Sequence, residues 1–329
     1  MTKTLTQCLI LVLARSTGFC DPLAMTMTLQ EKLAVGRFVI TAEVTPPVST
    51  DRADLLAKAA PLKGLADAVN VTDGAGARAH LSALTAATLL VEAGIEPVLQ
   101  FTCRDRNRIA LQGDLIGAAA VGVRNLLMLR GDDPAAGDQP EAKPVFDLDS
   151  RALLETARTL RDRGELPSGR KVTGHADFFL GAADSPVDPP PGWRPEALIA
   201  KHAAGAQFVQ TQFCMDADLT RRYLARLAEH GLAGKLHVLI GVVPLRSAKS
   251  ARWIKDKLFG AVIPDALIAR LEAARDPAAE GRRICLDLIA ELAGIPQVAG
   301  CHIMAPGNEA AVPDLIAAAR EKISRLAPA

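Results

Sequence analysis

The feature that most constrains this chain is an alternation that begins at Arg37. Short apolar runs give way repeatedly to longer segments whose apolar side chains recur at helical spacing. Eight runs can be counted: RFVITAEV, DAVNVT, EPVLQFT, NLLMLR, a fifth around KVTGHADFFLG, QFVQTQF, HVLIGVV and GCHIMA. Strands apolar on both faces must be covered on both faces, and parallel strands joined by crossover helices achieve this. Helices are predicted over Asp51–Leu62, Leu81–Ala93, Arg108–Ala120, Ser150–Arg163, Arg194–Ala204, Asp218–His230 and Ser247–Leu258. Two more, Asp265–Ala273 and Ala279–Leu292, precede the last strand, and Glu309–Arg325 closes the chain. Asp51, Ser150, Asp218 and Ser247 stand where a side-chain oxygen can cap a helix start. Eight strand–helix units favour a closed (β/α)8 barrel, with extra helices before the last strand, over an open doubly wound sheet.

A barrel of this kind takes about 250 residues as one unit. The 329 residues therefore divide into a catalytic domain over 28–329 and a leader over 1–27. The leader's CLILVLA run, Cys8–Ala14, faintly resembles the apolar core of an export signal, but no A-x-A-like cleavage site follows. Met25 and Met27 are alternative starts, so a disordered or mis-started leader is expected. With 38 basic against 37 acidic side chains, the net charge of +1 offers no global pull toward nucleic acid or an anionic membrane. A small-molecule partner is expected. The six cysteines form no CxxC pair and no zinc-like spacing, which reads as reduced thiols in the cytoplasm with no metal.

On such a barrel, polar groups leaving the carboxyl ends of the strands converge on one mouth. Here they are Glu43, Thr72, Asp73, Gln100, Thr102, Arg130, Asp132 and Gln212. Carboxylates and amides gathered in one place suit proton transfer and hydrogen bonding. Each residue alone could equally cap a helix or satisfy a loop amide. His175 and His302 read as core or structural histidines. DGAGA after the second strand lacks GxGxxG spacing, LPSGRK lacks a Walker pattern, and neither HExxH nor GxSxG occurs. The residues alone therefore predict an acid-and-amide mouth and leave the reaction open. One stretch is out of keeping with an ordinary strand end: LLMLRGDDP, Leu126–Pro134, runs an apolar strand straight into an arginine, a glycine and two aspartates.

That stretch, together with AEVTPP (Ala42–Pro47), VNVTDGA (Val69–Ala75), LQFTCRDRN (Leu99–Asn107), FVQTQF (Phe208–Phe213), IGVVPL (Ile240–Leu245) and HIMAPG (His302–Gly307), resembles methylenetetrahydrofolate reductase. The motifs follow in family order from about Arg37 to Arg325. The resemblance implies a flavoprotein that binds FAD on a (β/α)8 barrel without a Rossmann motif. It implies hydride transfer through FAD between 5,10-methylenetetrahydrofolate and 5-methyltetrahydrofolate, with NADH or NADPH as donor, in a homo-oligomer of one-carbon metabolism. Glu43 would be the general acid that helps the methylene bridge open. For that it needs a pKa above the ordinary value of about 4.3, supplied by desolvation. Asp132 would stabilise the developing cation and tune the flavin by its charge, and Gln212 would hydrogen-bond the pterin. Thr72, Gln100, Arg130, Gly131, Asp132, Asp147, Ala182, Ala183 and Lys201 fall at flavin positions, Gly131 admitting close backbone approach, and Asn308 falls at a substrate position. Three departures stand out: Gln100 replaces a common histidine, Asn308 a common arginine, and no tyrosine follows the fifth strand. A folate-dependent methyltransferase barrel and a non-catalytic folate- or flavin-binding subunit are the alternatives.

Overall fold

The computed structural model describes residues 27–326, so the leader falls almost wholly outside the described residues. The strands are β1 Val39–Val44, β2 Ala68–Val71, β3 Pro97–Thr102, β4 Asn125–Leu129, β5 Phe179–Asp184, β6 Phe208–Phe213, β7 His237–Val242 and β8 Val298–Ile303. Every neighbouring pair is parallel, and β8 returns to β1, closing the barrel in sequence order. The predicted TIM barrel is therefore the observed fold. All eight predicted runs contain a strand, the fifth only in its second half: residues 171–178 are almost wholly irregular and the strand waits until Phe179.

The helices are α1 Leu29–Ala34, α2 Arg52–Ala59, α3 Ala83–Glu92, α4 Arg108–Ala120, α5 Ser150–Arg163, α6 Glu196–Ala203, α7 Ala217–Glu229, α8 Ala248–Lys257, α9 Asp265–Ala273, α10 Pro277–Leu292 and α11 Val312–Leu326. As predicted, α9 and α10 precede β8. Two predicted caps move. Asp149, not Ser150, caps α5 by accepting the Ala152 N–H, and Asp216, not Asp218, caps α7 by accepting the Leu219 N–H. In both cases the helix begins earlier than its apolar periodicity does, so the aspartate upstream meets the orphan donors.

α1 is too short for periodicity to reveal. Its start carries a capping box: Thr28 accepts the Glu31 N–H while the Glu31 carboxylate accepts the Thr28 N–H. The helix lays Leu29 and Leu33 against Val39, Ala68, Val98, Leu127, Phe179, Phe208 and Leu239. Most of these residues sit at or near the amino-terminal ends of their strands, with Leu127 and Leu239 in third place, and together with α1 they form the floor of the barrel. The alternate side chains, such as Ile40, Ala42 and Val44, belong to the separate layer between strands and helices.

Candidate active site

Followed upward from the floor, the inward-facing rows change chemistry. β1 runs Val39, Thr41, Glu43; β2 and the residue after it run Ala68, Asn70, Thr72; β3 runs Val98, Gln100, Thr102; β6 runs Phe208, Gln210, Gln212. The middle layer is a buried polar network. Asn70 Nδ2 donates to Gln210 Oε1 at 2.6 Å, and Gln210 Nε2 donates to Asn70 Oδ1 at 3.0 Å and to Thr41 Oγ1 at 3.1 Å. Thr41 Oγ1 lies 2.9 Å from His302 Nδ1. Fully partnered networks of this kind rigidify a core. His302 is buried, as expected of a structural histidine, but it points into the barrel beneath the mouth. His175, by contrast, is no core residue: it is exposed and paired with Asp177 at 2.7 Å.

At the top layer, Gln100 Nε2 donates to Glu43 Oε2 at 2.9 Å, and His302 Nε2 stands 3.7 Å from the same oxygen. The Glu43 side chain is 21% exposed, so it faces the opening without being sunk in it. Just past the end of the neighbouring β2, the Thr72 hydroxyl is the buried side-chain polar atom left without a hydrogen-bond partner among the described residues. Asp73 serves the scaffold: it accepts from the Thr102 N–H and Oγ1, each at 2.9 Å, and pairs with Arg106.

The Arg-Gly-Asp turn is built on a buried arginine. Arg104 is only 4% exposed; its guanidinium reaches the carbonyls of Gly74 and Asp132, and Asp105 pairs with it. These bonds tie together the loops after β2, β3 and β4. Gly131 has φ +91°, and a Cβ there would fall 3.0 Å from Arg104 Cβ and 3.1 Å from Thr102 Cβ. Both the backbone angle and the close packing require glycine. Asp132 is exposed at the tip, its Oδ2 accepting the Gly76 N–H at 3.1 Å. Arg130 lays its guanidinium over the Phe146 ring, 4.6 Å from the centroid.

The remaining predicted residues spread around the rim. Asp147 accepts the Arg108 N–H, Nε and Nη2, and these bonds hold its carboxyl down at about 2. Lys201, on α6, donates to the Ala183 carbonyl at 2.6 Å. The Ala182 side chain packs in the strand–helix layer, so only its main chain can serve a ligand. Gln212 bridges to the Phe259 carbonyl at 3.4 Å and accepts the Phe213 N–H. Asn308 lines a cavity of about 530 Å³ with Pro244, Arg246, Lys249 and Trp253, while Glu43 lines one of about 440 Å³ with Lys58 and Glu309. The segment after β8 contributes to both, Ala305, Pro306 and Asn308 to the first and Glu309 and Ala310 to the second. Asp184, which the sequence reading passed over, ends β5; burial pushes its carboxyl up, against the Tyr223 hydroxyl that donates to it. Tyr223, on α7, is the chain's one tyrosine.

Residues 28–320 match the methylenetetrahydrofolate reductase family. The chain belongs to that family. A Caenorhabditis elegans protein named "Probable methylenetetrahydrofolate reductase (NADPH)" is 25% identical over 244 residues, covering 71% of this chain and 34% of that protein. "Methylenetetrahydrofolate reductase 2" of Schizosaccharomyces pombe is 26% identical over 214 residues, covering 61% and 31%. The chain thus spans about a third of the length of these relatives. In three dimensions it resembles a Clostridium thermocellum protein described as binding two copies of 5-methyl-5,6,7,8-tetrahydrofolic acid, with TM-score 0.60 over 90% of this chain and 99% of that one. At 14% identity that likeness speaks for the barrel alone. Among the described residues, no helix is long and apolar enough to cross a membrane and no cluster of metal-ligating side chains occurs.

Proposed function

We propose that this member of the methylenetetrahydrofolate reductase family is an FAD-dependent oxidoreductase that interconverts 5,10-methylenetetrahydrofolate and 5-methyltetrahydrofolate, with NADH or NADPH as donor. The observation that carries the reading is the Thr72 hydroxyl. Leaving a buried hydroxyl unpaired costs about 1–3 kcal/mol, so an orphan just past the carboxyl end of β2 calls for a polar ligand. Thr72 is also a flavin position in the family resemblance. Arg130, Gly131, Asp132, Lys201 and the main chain at Ala182 and Ala183 would complete the hold, with Gln100 and Asp147 at its edges. Bound there, the flavin supplies the hydride.

The chain's own residues supply the rest. Glu43 gives a proton to the folate nitrogen whose bond to the methylene carbon opens, and its open face toward the mouth lets it do so. Asp132 sets a carboxylate on a turn that Arg104 holds still, where fixed charge can stabilise a developing cation. Gln212 offers an amide to the pterin, and the cavity at Asn308 takes the remainder of the substrate. The printed names of the relatives support a reductase and, in one of them, NADPH. The described cysteines are free thiols, in keeping with the cytoplasm, and we expect a homo-oligomer.

The test is a spectrum. Purified protein should be yellow, bleach on adding NADH or NADPH, and recover its colour when 5,10-methylenetetrahydrofolate is added. A colourless protein that takes up no FAD refutes the reading. A yellow protein that bleaches and never returns hydride to the folate is a flavin-binding subunit instead.

A further inference from the structure

His302 enters the barrel from β8, directly beside β1, with Thr41 as its register partner. It is 2% exposed, yet both ring nitrogens have neighbours: Thr41 Oγ1 at 2.9 Å from Nδ1 and Glu43 Oε2 at 3.7 Å from Nε2. The direction of the hydrogen bonds decides which nitrogen carries the proton. Gln210 Nε2, the same nitrogen that donates to Asn70, lies 3.1 Å from Thr41 Oγ1, which accepts there. Its own proton then goes to His302 Nδ1, since the other acceptor, the Cys301 carbonyl, is 3.5 Å away. Nδ1 is therefore an acceptor, and the ring proton sits on Nε2, facing Glu43.

Gln100 and His302 address the same carboxyl oxygen, and among the described residues no hydrogen bond reaches the other one. An oxygen that accepts N–H donors is a poor place for the acid's proton, so the proton is left to Oε1. We propose that His302 is the positioning residue of Glu43: it turns Nε2–H onto Oε2 and, with Gln100, fixes the transferable proton on Oε1. This rests on the reading of Glu43 as the acid. At 3.7 Å the contact is longer than a hydrogen bond, and such contacts tighten when substrate closes the site. In the transfer, the Oε1–H bond breaks and an N–H bond forms on the folate nitrogen. The electron pair stays on the carboxylate, and His302 keeps its own proton throughout. Among the described residues, Glu43 is the ionisable group within ion-pair distance of His302, while Thr41 on β1 and Gly241 on β7, its register neighbours, are uncharged.

Three variants test this. In His302→Phe, the folate half-reaction slows about tenfold, the scale of one hydrogen bond to a charged group, with little change in KM. The alkaline limb of its pH profile moves upward, because a carboxylate that has lost a donor holds its proton longer. His302→Gln retains a donor without a titrating ring and returns the limb to its original place. Independently of flavin, the ring-nitrogen signals of His302, assigned by their loss in His302→Gln, show the proton on Nε2, and the Nε2 signal moves in Glu43→Gln because the oxygen it faces has changed. That second measurement stands even if His302→Phe does not fold. An unmoved limb in His302→Phe, or a His302 ring proton found on Nδ1, overturns the proposal for His302 while leaving the acid reading intact. Full folate reduction by Glu43→Gln overturns both.

Discussion

The floor and the mouth of this barrel are made by the same strands, six residues or fewer apart, and they solve opposite problems. At the floor the inward row is Val39, Ala68, Val98, Leu127, Phe179, Phe208 and Leu239, sealed by Leu29 and Leu33. Toward the mouth the same rows carry Glu43, Thr72, Gln100 and Gln212. Carboxylates occur at both ends but do different work. At the floor, Asp67 accepts the Ile40 N–H and pairs with Lys32 and Arg320, and burial pushes the Glu96 carboxyl up while it holds the Leu29 N–H and Asn125. At the mouth, Glu43 and Asp132 keep oxygens in reach of the opening. Stability is thus concentrated where the groups are satisfied, and chemistry where one hydroxyl and one carboxyl oxygen are left wanting a partner.

The largest effect expected from breaking this division is at Glu43. Glu43→Gln keeps the shape and the bond to Gln100 while removing the proton, so the folate half-reaction should fall by about 10²–10⁴, the usual range for a general acid. Flavin reduction by the nicotinamide should persist. Stopped-flow traces of both half-reactions decide it, and equal losses in both would make Glu43 a scaffold residue like Asp73. Next is Asp132→Asn, which preserves an acceptor for the Gly76 N–H and deletes only the charge. A loss of about 10²–10³ in folate reduction is expected for one preorganised electrostatic contact, together with a more positive flavin potential by dye equilibration. An unchanged potential with normal turnover would leave Asp132 as a turn residue. From the other side, Leu29→Ala should cost about 2–3 kcal/mol of stability in urea titration, the lower part of the range for a buried leucine because α1 can settle into the space. Its half-reactions at the mouth should match the parent; slowed folate reduction would show that floor and mouth are coupled.

The sequence disclosed the floor-to-mouth axis but not what crosses it. Eight strands were legible because residues such as Leu126, Leu127 and Met128 are apolar in succession, a pattern that only burial on both faces permits. Glu43, Thr72, Gln100 and Gln212 were legible because the carboxyl half of a strand fixes where its inward side chains go. Asn70 with Gln210, His302 with Thr41, and Asp184 with Tyr223 were not, because each pair depends on register between elements far apart in the chain. Arg104 was missed for a related reason. A loop arginine reads as solvated, and nothing local announces that three loops will close over it.

The smallest effect lies at the rim, where Asp147 and Arg108 meet in a bidentate pair beyond the apolar rows. The Arg108 hydrogen bonds hold the Asp147 carboxyl at about 2, below its ordinary 3.8. A carboxylate whose pKa is depressed by folding adds stability above the unfolded value and loses it as the pH falls through the folded one. The contribution is therefore complete only above about pH 5 and is gone below about pH 2. Because both side chains are open to solvent, salt and water weaken the pair. Asp147→Asn should lower the melting temperature at pH 7 by no more than about 1–2 °C, the scale for an exposed pair in a chain of this size. The gap between variant and parent should close as the pH approaches 2, and it should shrink at pH 7 in molar salt. A gap that persists at pH 2 would mean that the Asp147 side chain acts through shape, packing the loop after β4 against the start of α4. A gap that appears only when FAD is present would move Asp147 from the rim's scaffold to the flavin itself.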